Sequence, residues 1–204
     1  MILFKGPRDQ LLSPLQSVCG IVEKRHTLPI LSNVLMEKNG EKLTLLATDI
    51  EIQITTETPT VGPEKAAMTV GARKLQDILR SLPESAEVSL ALDDKRLQLK
   101  AGKSRFNLQT LPAEDFPRMS TVDGQATRLS VTQRQMKRLL GLVQYAMAQQ
   151  DIRYYLNGLL LVAKGNELRM VATDGHRLAY AAETLAEAPA PIEVILPRKT
   201  VLEL

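Results

Sequence analysis

Cysteine is nearly missing from this sequence: Cys19 is the single thiol in 204 residues. One cysteine excludes an intramolecular disulfide and fits a reducing compartment, so the expected location is the cytoplasm. Long apolar runs are missing too. The longest, such as "GLLLVA", are strand-sized, far short of the roughly 20 residues that span a bilayer, so no membrane partner is expected. The opening "MILFKGPR" lacks the apolar core of a signal peptide. Charge of one sign is scarce: 26 Lys and Arg stand against 23 Asp and Glu, a net of +3. Residues 1–125 balance at 16 against 16, and residues 126–204 carry 10 against 7. A protein that grips phosphates tightly shows a stronger bias, so any DNA contact must come from a local basic face. Histidine occurs twice, and His-Glu-x-x-His, the phosphate-binding Gly-x-x-x-x-Gly-Lys-Ser/Thr, Gly-x-Ser-x-Gly and Cys-x-x-Cys are all missing. With 44% hydrophobic and 24% charged residues, what remains is a soluble globular chain, long enough for two domains.

What is present is a repeat. Sliding the chain by 125 residues lays Leu31 to Asp49 over Leu156 to Asp174 without a gap, with 7 of 19 positions identical, among them Gly40, Ala47, Thr48 and Asp49. The same offset puts Arg73-Lys74 on Arg198-Lys199 and "QLLSPLQSV" on "QMKRLLGLV". Three gapless blocks at one offset imply an internal duplication. The first copy is expected to span 1–125, with "AEDFPRMSTVDGQA" as linker, and the second 126–204. Leu204 corresponds to Leu79, so the second copy is expected to be incomplete and the chain a fragment.

Within a copy, helices and strands alternate. Leu11, Leu15, Val18 and Val22 stand at helical spacing over residues 8–23, and Pro14 argues for a start near Pro7–Asp9. Met136, Leu139, Leu140, Val143 and Met147 form the matching stripe over 132–148, with Thr132 as N-cap. A shorter helix fits 72–81. "VLMEKNGEKLTLLA" predicts a hairpin at Asn39-Gly40, "GNELRMVA" repeats it, and "AEVSLAL", "RLQLKAG" and "SRFNLQTL" alternate as strands with a turn at Asp93-Asp94. The expected class is α+β: two helices per copy on antiparallel sheet. Arg134, Lys137 and Arg138 lie opposite the apolar stripe, and Arg73 and Arg80 share a face of the short helix. Either these are solvated helix faces or, repeated in both copies, a continuous basic surface.

"ATDGHRL" suggests catalysis at first sight, since Asp174 and His176 could form an acid–base pair or hold a metal. The first copy has Glu51 where the second has His176, and Ile50 where it has Gly175, so the shared Asp49 and Asp174 have no common side-chain partner. A carboxylate that closes a turn on backbone N–H groups accounts for them better. Gly175 would then bend the chain and expose His176, Arg177 and Leu178, which with Leu156 suit a short apolar peptide or, equally, a plain surface turn.

"TLPILSNVL", "LATDIE", "RFNLQTLPAEDFP", "QDIRYYLNG" and "VATDGHRL" together resemble the bacterial replicative sliding clamp, the beta subunit of DNA polymerase III. The resemblance runs in order through the whole chain. It implies the DNA clamp fold, with this chain holding the first domain and part of the second of three. Two full-length chains would close head to tail into a ring around duplex DNA. It implies no catalytic residue, no metal and no cofactor, although the family is often classed with the polymerase nucleotidyltransferase activity it serves. Leu156, Thr173, Gly175, His176, Arg177 and Leu178 would line part of a groove for short linear motifs. The partners would be the polymerase III catalytic subunit, the clamp loader and other polymerases. DNA contacts would map onto Arg25, Arg73, Gln150, Tyr154 and Tyr155, and the helix faces add Lys137, Arg138, Arg198 and Lys199. Tyr154 and Tyr155 are adjacent, so on a strand at most one is core. The edge strand "SRFNLQTL" would form the ring joint, with Phe106 and Leu108 on one side and Arg105 on the other. The rivals are an open, repeat-built DNA-binding module and a metal-dependent phosphodiesterase built on Asp174 and His176.

Overall fold

A computed structural model describes residues 1–22, 28–93, 96–119 and 128–204. Arg25, His26, Asp94 and the second half of the expected linker lie outside the described residues. The chain divides into two compact units, Met1–Ser120 and Thr121–Leu204.

The first unit begins with β1 (Ile2–Pro7) and α1 (Arg8–Cys19), followed by β2 (Asn33–Asn39), β3 (Lys42–Thr48), β4 (Gln53–Pro59) and β5 (Lys65–Gly71). Then come α2 (Ala72–Ser81), β6 (Glu87–Asp93), β7 (Arg96–Ala101) and β8 (Ser104–Leu111). All eight strands form one antiparallel sheet in the order β1-β6-β7-β8-β5-β2-β3-β4. Leu11, Leu15 and Val18 of α1 and Leu75 and Leu79 of α2 are fully buried against Met36, Leu43, Leu45, Leu90 and Leu99 of the sheet. Cys19 lies among them, and burial pushes its thiol up to about 11. The asymmetry of the helix faces, read from periodicity alone, is what orients both helices onto the strands.

Pro14 sits in the second turn of α1, one turn deeper than a proline is normally tolerated. Its ring leaves the Gln10 carbonyl without a helical donor. Thr58 of β4 supplies one, its Oγ1 donating to that carbonyl at 2.8 Å, while Thr56 Oγ1 donates to the Pro14 carbonyl at 3.1 Å. Thr58 thus supplies the donor that the proline removes.

The second unit has α3 (Gln133–Val143), β9 (Gly158–Lys164), β10 (Glu167–Thr173), β11 (Leu178–Thr184), β12 (Ile192–Pro197) and α4 (Arg198–Glu203). Adding 125 to the bounds of β2, β3 and β4 returns those of β9, β10 and β11 residue for residue. The sheet order β11-β10-β9-β12 matches β4-β3-β2-β5. Thr132 caps α3 in a capping box with Gln135, as expected. The helix is shorter than its apolar stripe: a 3₁₀ turn at Gln144–Ala146 follows it, keeping Ala146 and Met147 in the core. The hairpin loops are Gly40-Glu41 and Gly165-Asn166, one residue later than Asn39-Gly40, because Asn39 already pairs with Lys42 and Lys164 with Glu167.

Two expectations are corrected. β8 is an edge over Ser104–Gln109, where it pairs with β7 alone, but not over its whole length: Thr110 and Leu111 pair with β5, so the strand joins two halves of the sheet. Only Ser104–Gln109 lies beyond the ladder with β5. Arg105 is exposed there, Phe106 is half-buried against the core, and Leu108 is buried in it. The expected linker is also packed along its first half. Ala113 and Phe116 are buried with Leu35 and Leu46 on the outer face of the sheet, and Arg118 makes a two-pronged ion pair with Glu37. No helix among the described residues is long and apolar enough to cross a membrane.

Candidate functional site

The turn between β10 and β11 carries most of the residues singled out by the sequence. Thr173 Oγ1 donates to the Arg177 carbonyl at 2.7 Å and accepts from the Gly175 N–H at 3.1 Å. Asp174 Oδ1 accepts from the N–H groups of His176 and Arg177, both at 3.0 Å, and Oδ2 accepts from Arg177 Nε at 3.0 Å. The two N–H groups, Arg177 first, hold this carboxyl below the usual carboxylate range. Both oxygens of Asp174 are thereby committed to the turn, which accounts for the aspartate without acid–base chemistry.

The first unit builds the same turn. Thr48 Oγ1 donates to the Ile52 carbonyl at 2.7 Å and accepts from the Ile50 N–H at 3.0 Å. Asp49 Oδ1 accepts from Glu51 and Ile52 at 3.0 and 2.8 Å. Ala-Thr-Asp recurs because it is a turn-closing device. Gly175 has φ +87°, and Ile50 has φ 80°, the only positive value at a non-glycine among the described residues. The bend is therefore not special to the glycine copy, contrary to expectation. A β-branched residue there stores about 1–2 kcal/mol of strain. Ile50→Gly is expected to raise the melting temperature by a few degrees, since Ile50 is half-exposed and glycine's entropy cost of about 0.5–1 kcal/mol offsets only part of the relief. A thermal melt that shows no gain would refute strain at this position.

Beside the turn runs the loop from Tyr145 to Asn157. Arg153 donates Nε and Nη2 to the two oxygens of Asp151 at 2.9 and 2.8 Å, and its backbone N–H donates to Oδ1 at 2.8 Å. The side-chain bonds from Arg153, then its backbone N–H, lower the Asp151 carboxyl to about 2. The pair is thus complete above the ordinary carboxylate pKa and is lost as pH falls toward 2. Asn157 locks the loop, its Oδ1 accepting from Asp151 N at 2.9 Å and its Nδ2 donating to Asp151 O at 2.8 Å. Arg177 lies with its guanidinium carbon 5.6 Å from the Tyr145 ring centroid, a cation–π contact. Between loop and turn opens a depression of about 380 Å³, lined by Tyr145, Met147, Ala148, Gln149, Gln150, Asp151, Asp174, His176, Arg177 and Arg198.

Of the expected groove residues, Thr173, Gly175, His176 and Arg177 share this one turn. Leu178 opens β11 and is 65% exposed, while Leu156 is buried in a 3₁₀ turn at Tyr154–Leu156. That turn corrects the strand expected for the tyrosines. Three residues per turn send Leu156 inward and leave both Tyr154 and Tyr155 exposed, their rings edge to face at 5.8 Å.

The basic residues are placed less freely than their sequence suggests. Arg73 donates to the Val22 carbonyl at 2.6 Å, and Arg198 donates to the Met147 carbonyl at 3.4 Å. Donors and acceptors are again 125 residues apart, so both arginines fasten the second helix of a unit to the segment that ends the first. Arg138 is ion-paired with Glu183 of β11, Lys137 is exposed, Lys199 is half-buried in α4, and Gln150 is exposed on the loop. No signal of composition or spacing marked the carbonyl partners of Arg73 and Arg198.

Comparison with known families decides what the repeat belongs to. The DNA polymerase III beta subunit's N-terminal domain matches residues 2–120, and its central domain matches residues 130–204. The chain belongs to the DNA polymerase III beta-subunit family. It is 48% identical over 208 residues to the beta sliding clamp of Pseudomonas putida, covering 98% of this chain and 55% of that one. It is 45% identical over 202 residues to the beta sliding clamp of Escherichia coli strain K12, with the same coverage. Among solved structures, the polymerase III beta subunit of Pseudomonas aeruginosa matches with a TM-score of 0.91 at 45% identity, over all of this chain and 55% of that one. A sliding clamp from Pseudomonas aeruginosa bound to griselimycin matches with a TM-score of 0.92, 45% identity and coverage of 99% and 55%. The chain thus spans about half the length of these beta-subunit relatives.

Proposed function

We propose that this chain supplies clamp domains to a DNA sliding clamp, the processivity factor that tethers polymerases to duplex DNA without base specificity. The observation that carries this reading is the duplicated unit, alike in its strand bounds, its threonine–aspartate turn and its arginine anchors, in a chain 48% identical to a beta sliding clamp. The mechanism is topological. A closed ring is held on DNA by its geometry, so its contacts can be few and weak, and a net charge of +3 suffices. Arg25, Gln150, Tyr154, Tyr155 and Lys137 would touch phosphates or stack without reading sequence, with Arg73, Arg138, Arg198 and Lys199 adding positive charge nearby. The free stretch of β8, with Arg105 outermost and Phe106 and Leu108 behind it, would meet a second copy in a homodimeric ring. The turn from Thr173 to Leu178, with Leu156 beneath the loop, would form one side of a groove for short apolar motifs of polymerases and loader. Tethering raises the effective concentration of the polymerase at the primer end. The chain itself would perform no chemistry and need no cofactor, and its compartment would be the cytoplasm.

The test uses nicked circular DNA. The product of the whole gene, with residues 1–204 as comparison, is loaded by its clamp loader with ATP, and free protein is removed. Retention on circles with release on cutting the circle is expected. Equal binding to circular and cut DNA, lost only with salt, would replace the ring with an open DNA-binding module.

A further inference from the structure

Gly175 raises a question that its φ does not answer. Ile50 holds the same turn at nearly the same φ with a full side chain, so backbone geometry alone does not demand glycine. What differs is the space. A Cβ on Gly175 would stand 3.3 Å from Arg153 Nη2 and 3.9 Å from Nη1, so the guanidinium, as seated, would have to give by a few tenths of an ångström to admit a side chain. In the first unit the position of Arg153 is taken by Leu28 and that of Asp151 by His26, so neither the cation nor the carboxylate recurs where the isoleucine stands. One copy has arginine and glycine at the two positions, and the other has leucine and isoleucine.

We infer that Asp151 is a positioning residue for the partner groove: its carboxylate seats the Arg153 guanidinium flat against Gly175 and so steadies the turn that presents His176 and Arg177. This rests on the groove reading above. The geometry is over-determined on the loop side. Both carboxylate oxygens are engaged by Arg153, and Asn157 fixes the Asp151 backbone through both its N–H and its carbonyl. The Asn157 carbonyl in turn accepts from the Arg198 N–H at 2.9 Å, which ties the loop to the start of α4. On the turn side nothing but the guanidinium lies within 4 Å of the missing Cβ. Removing the carboxylate frees a long cationic side chain that has no other acceptor among its hydrogen bonds in the described residues. Arg153 then leaves the turn, and the turn that carries the lining residues His176 and Arg177 loses its neighbour on the loop side.

The test is Asp151→Asn, which keeps an oxygen for the Arg153 backbone N–H but sets an NH₂ group against the guanidinium. Hydrogen exchange of the His176 and Arg177 amides, followed by NMR on the 204-residue chain, is expected to speed up about 10-fold. Exchange in the β9–β10 ladder at Leu161 and Met170 stays unchanged, and Asp151→Glu recovers part of the protection. Griselimycin, held by the Pseudomonas aeruginosa clamp, serves as ligand probe. Its affinity for Asp151→Asn is expected to fall by about 10-fold, as it does for His176→Ala. If His176→Ala weakens griselimycin and Asp151→Asn does not, the positioning role is overturned and the groove stands. If Asp151→Asn speeds exchange but neither variant alters griselimycin binding, the clip stands and the groove reading falls. Unchanged exchange at His176 and Arg177 overturns the inference whatever the ligand does.

Discussion

Lys38→Met is expected to destabilise the first unit by about 3 kcal/mol, roughly 10 °C in melting temperature for a unit of this size. Lys38 lies on β2 with its side chain wholly buried, and each of its three ammonium protons has a partner. Nζ donates to the Ile2 carbonyl at 2.9 Å, to Glu64 Oε2 at 3.0 Å and to the Val61 carbonyl. The lysine therefore ties the first strand to the loop between β4 and β5, alongside Thr60, whose hydroxyl donates to the Leu3 carbonyl at 2.7 Å. Methionine fills the volume of the stem and takes the donor away from both carbonyls; these bonds are part-buried, so each loss costs toward the lower end of about 1–3 kcal/mol. Glu64 is 44% exposed and returns to water, which keeps the total near the lower bound for breaking a buried pair. Because the ammonium is buried, 1 M salt should leave the difference between the two proteins intact. A melting temperature within 2 °C of the parent, measured by circular dichroism, would show that the anchor contributes little.

The second unit should respond oppositely to alanine at two of its glycines. A Cβ on Gly158 would stand 2.4 Å from the Leu196 carbonyl oxygen and 3.0 Å from Ile195 Cγ2. The obstacle is backbone, and Gly158 is paired with Pro197 at the end of the β9–β12 ladder, so the strands must part to admit a methyl group. Gly158→Ala is expected to cost about 2–3 kcal/mol. Gly141 lies exposed within α3 with nothing within 4 Å of its missing Cβ. Gly141→Ala is expected to stabilise by about 0.5–1 kcal/mol, the ordinary helix preference for alanine. Urea titrations of both variants separate the cases, and a stable Gly158→Ala would mean that β12 yields without loss.

Lys38 also marks where sequence reading stops. Val34, Met36 and Lys38 alternate on one face of β2, and period two alone points all three at the core. A lysine next to a hairpin reads as solvated unless its acceptors are known, and these come from residues 2, 61 and 64. Arg73 and Arg198 repeat the lesson. The resemblance (for Arg73) and the helix faces (for Arg198) point to phosphate contacts, and neither foretells the carbonyl acceptors, Val22 and Met147, which lie 51 residues away along the chain. β8 alternates as any strand does, and only its pairing with both β7 and β5 shows that it joins the two halves of the sheet.

The sequence by itself determined the duplication, its offset of 125, the amphipathic helices, the hairpins and the turn-closing role of Asp49 and Asp174. The duplication is read by aligning the chain with itself; the helices, hairpins and turns depend on interactions within a few residues of chain, where periodicity and side-chain type dictate geometry directly. Tertiary structure alone decided which cations are anchored, which strand joins the sheet halves, and which side chain lies beside Gly175. Those outcomes turn on groups brought together from distant parts of the chain, and burial or occupied space, set by the packing partner, overrides what the local pattern allows.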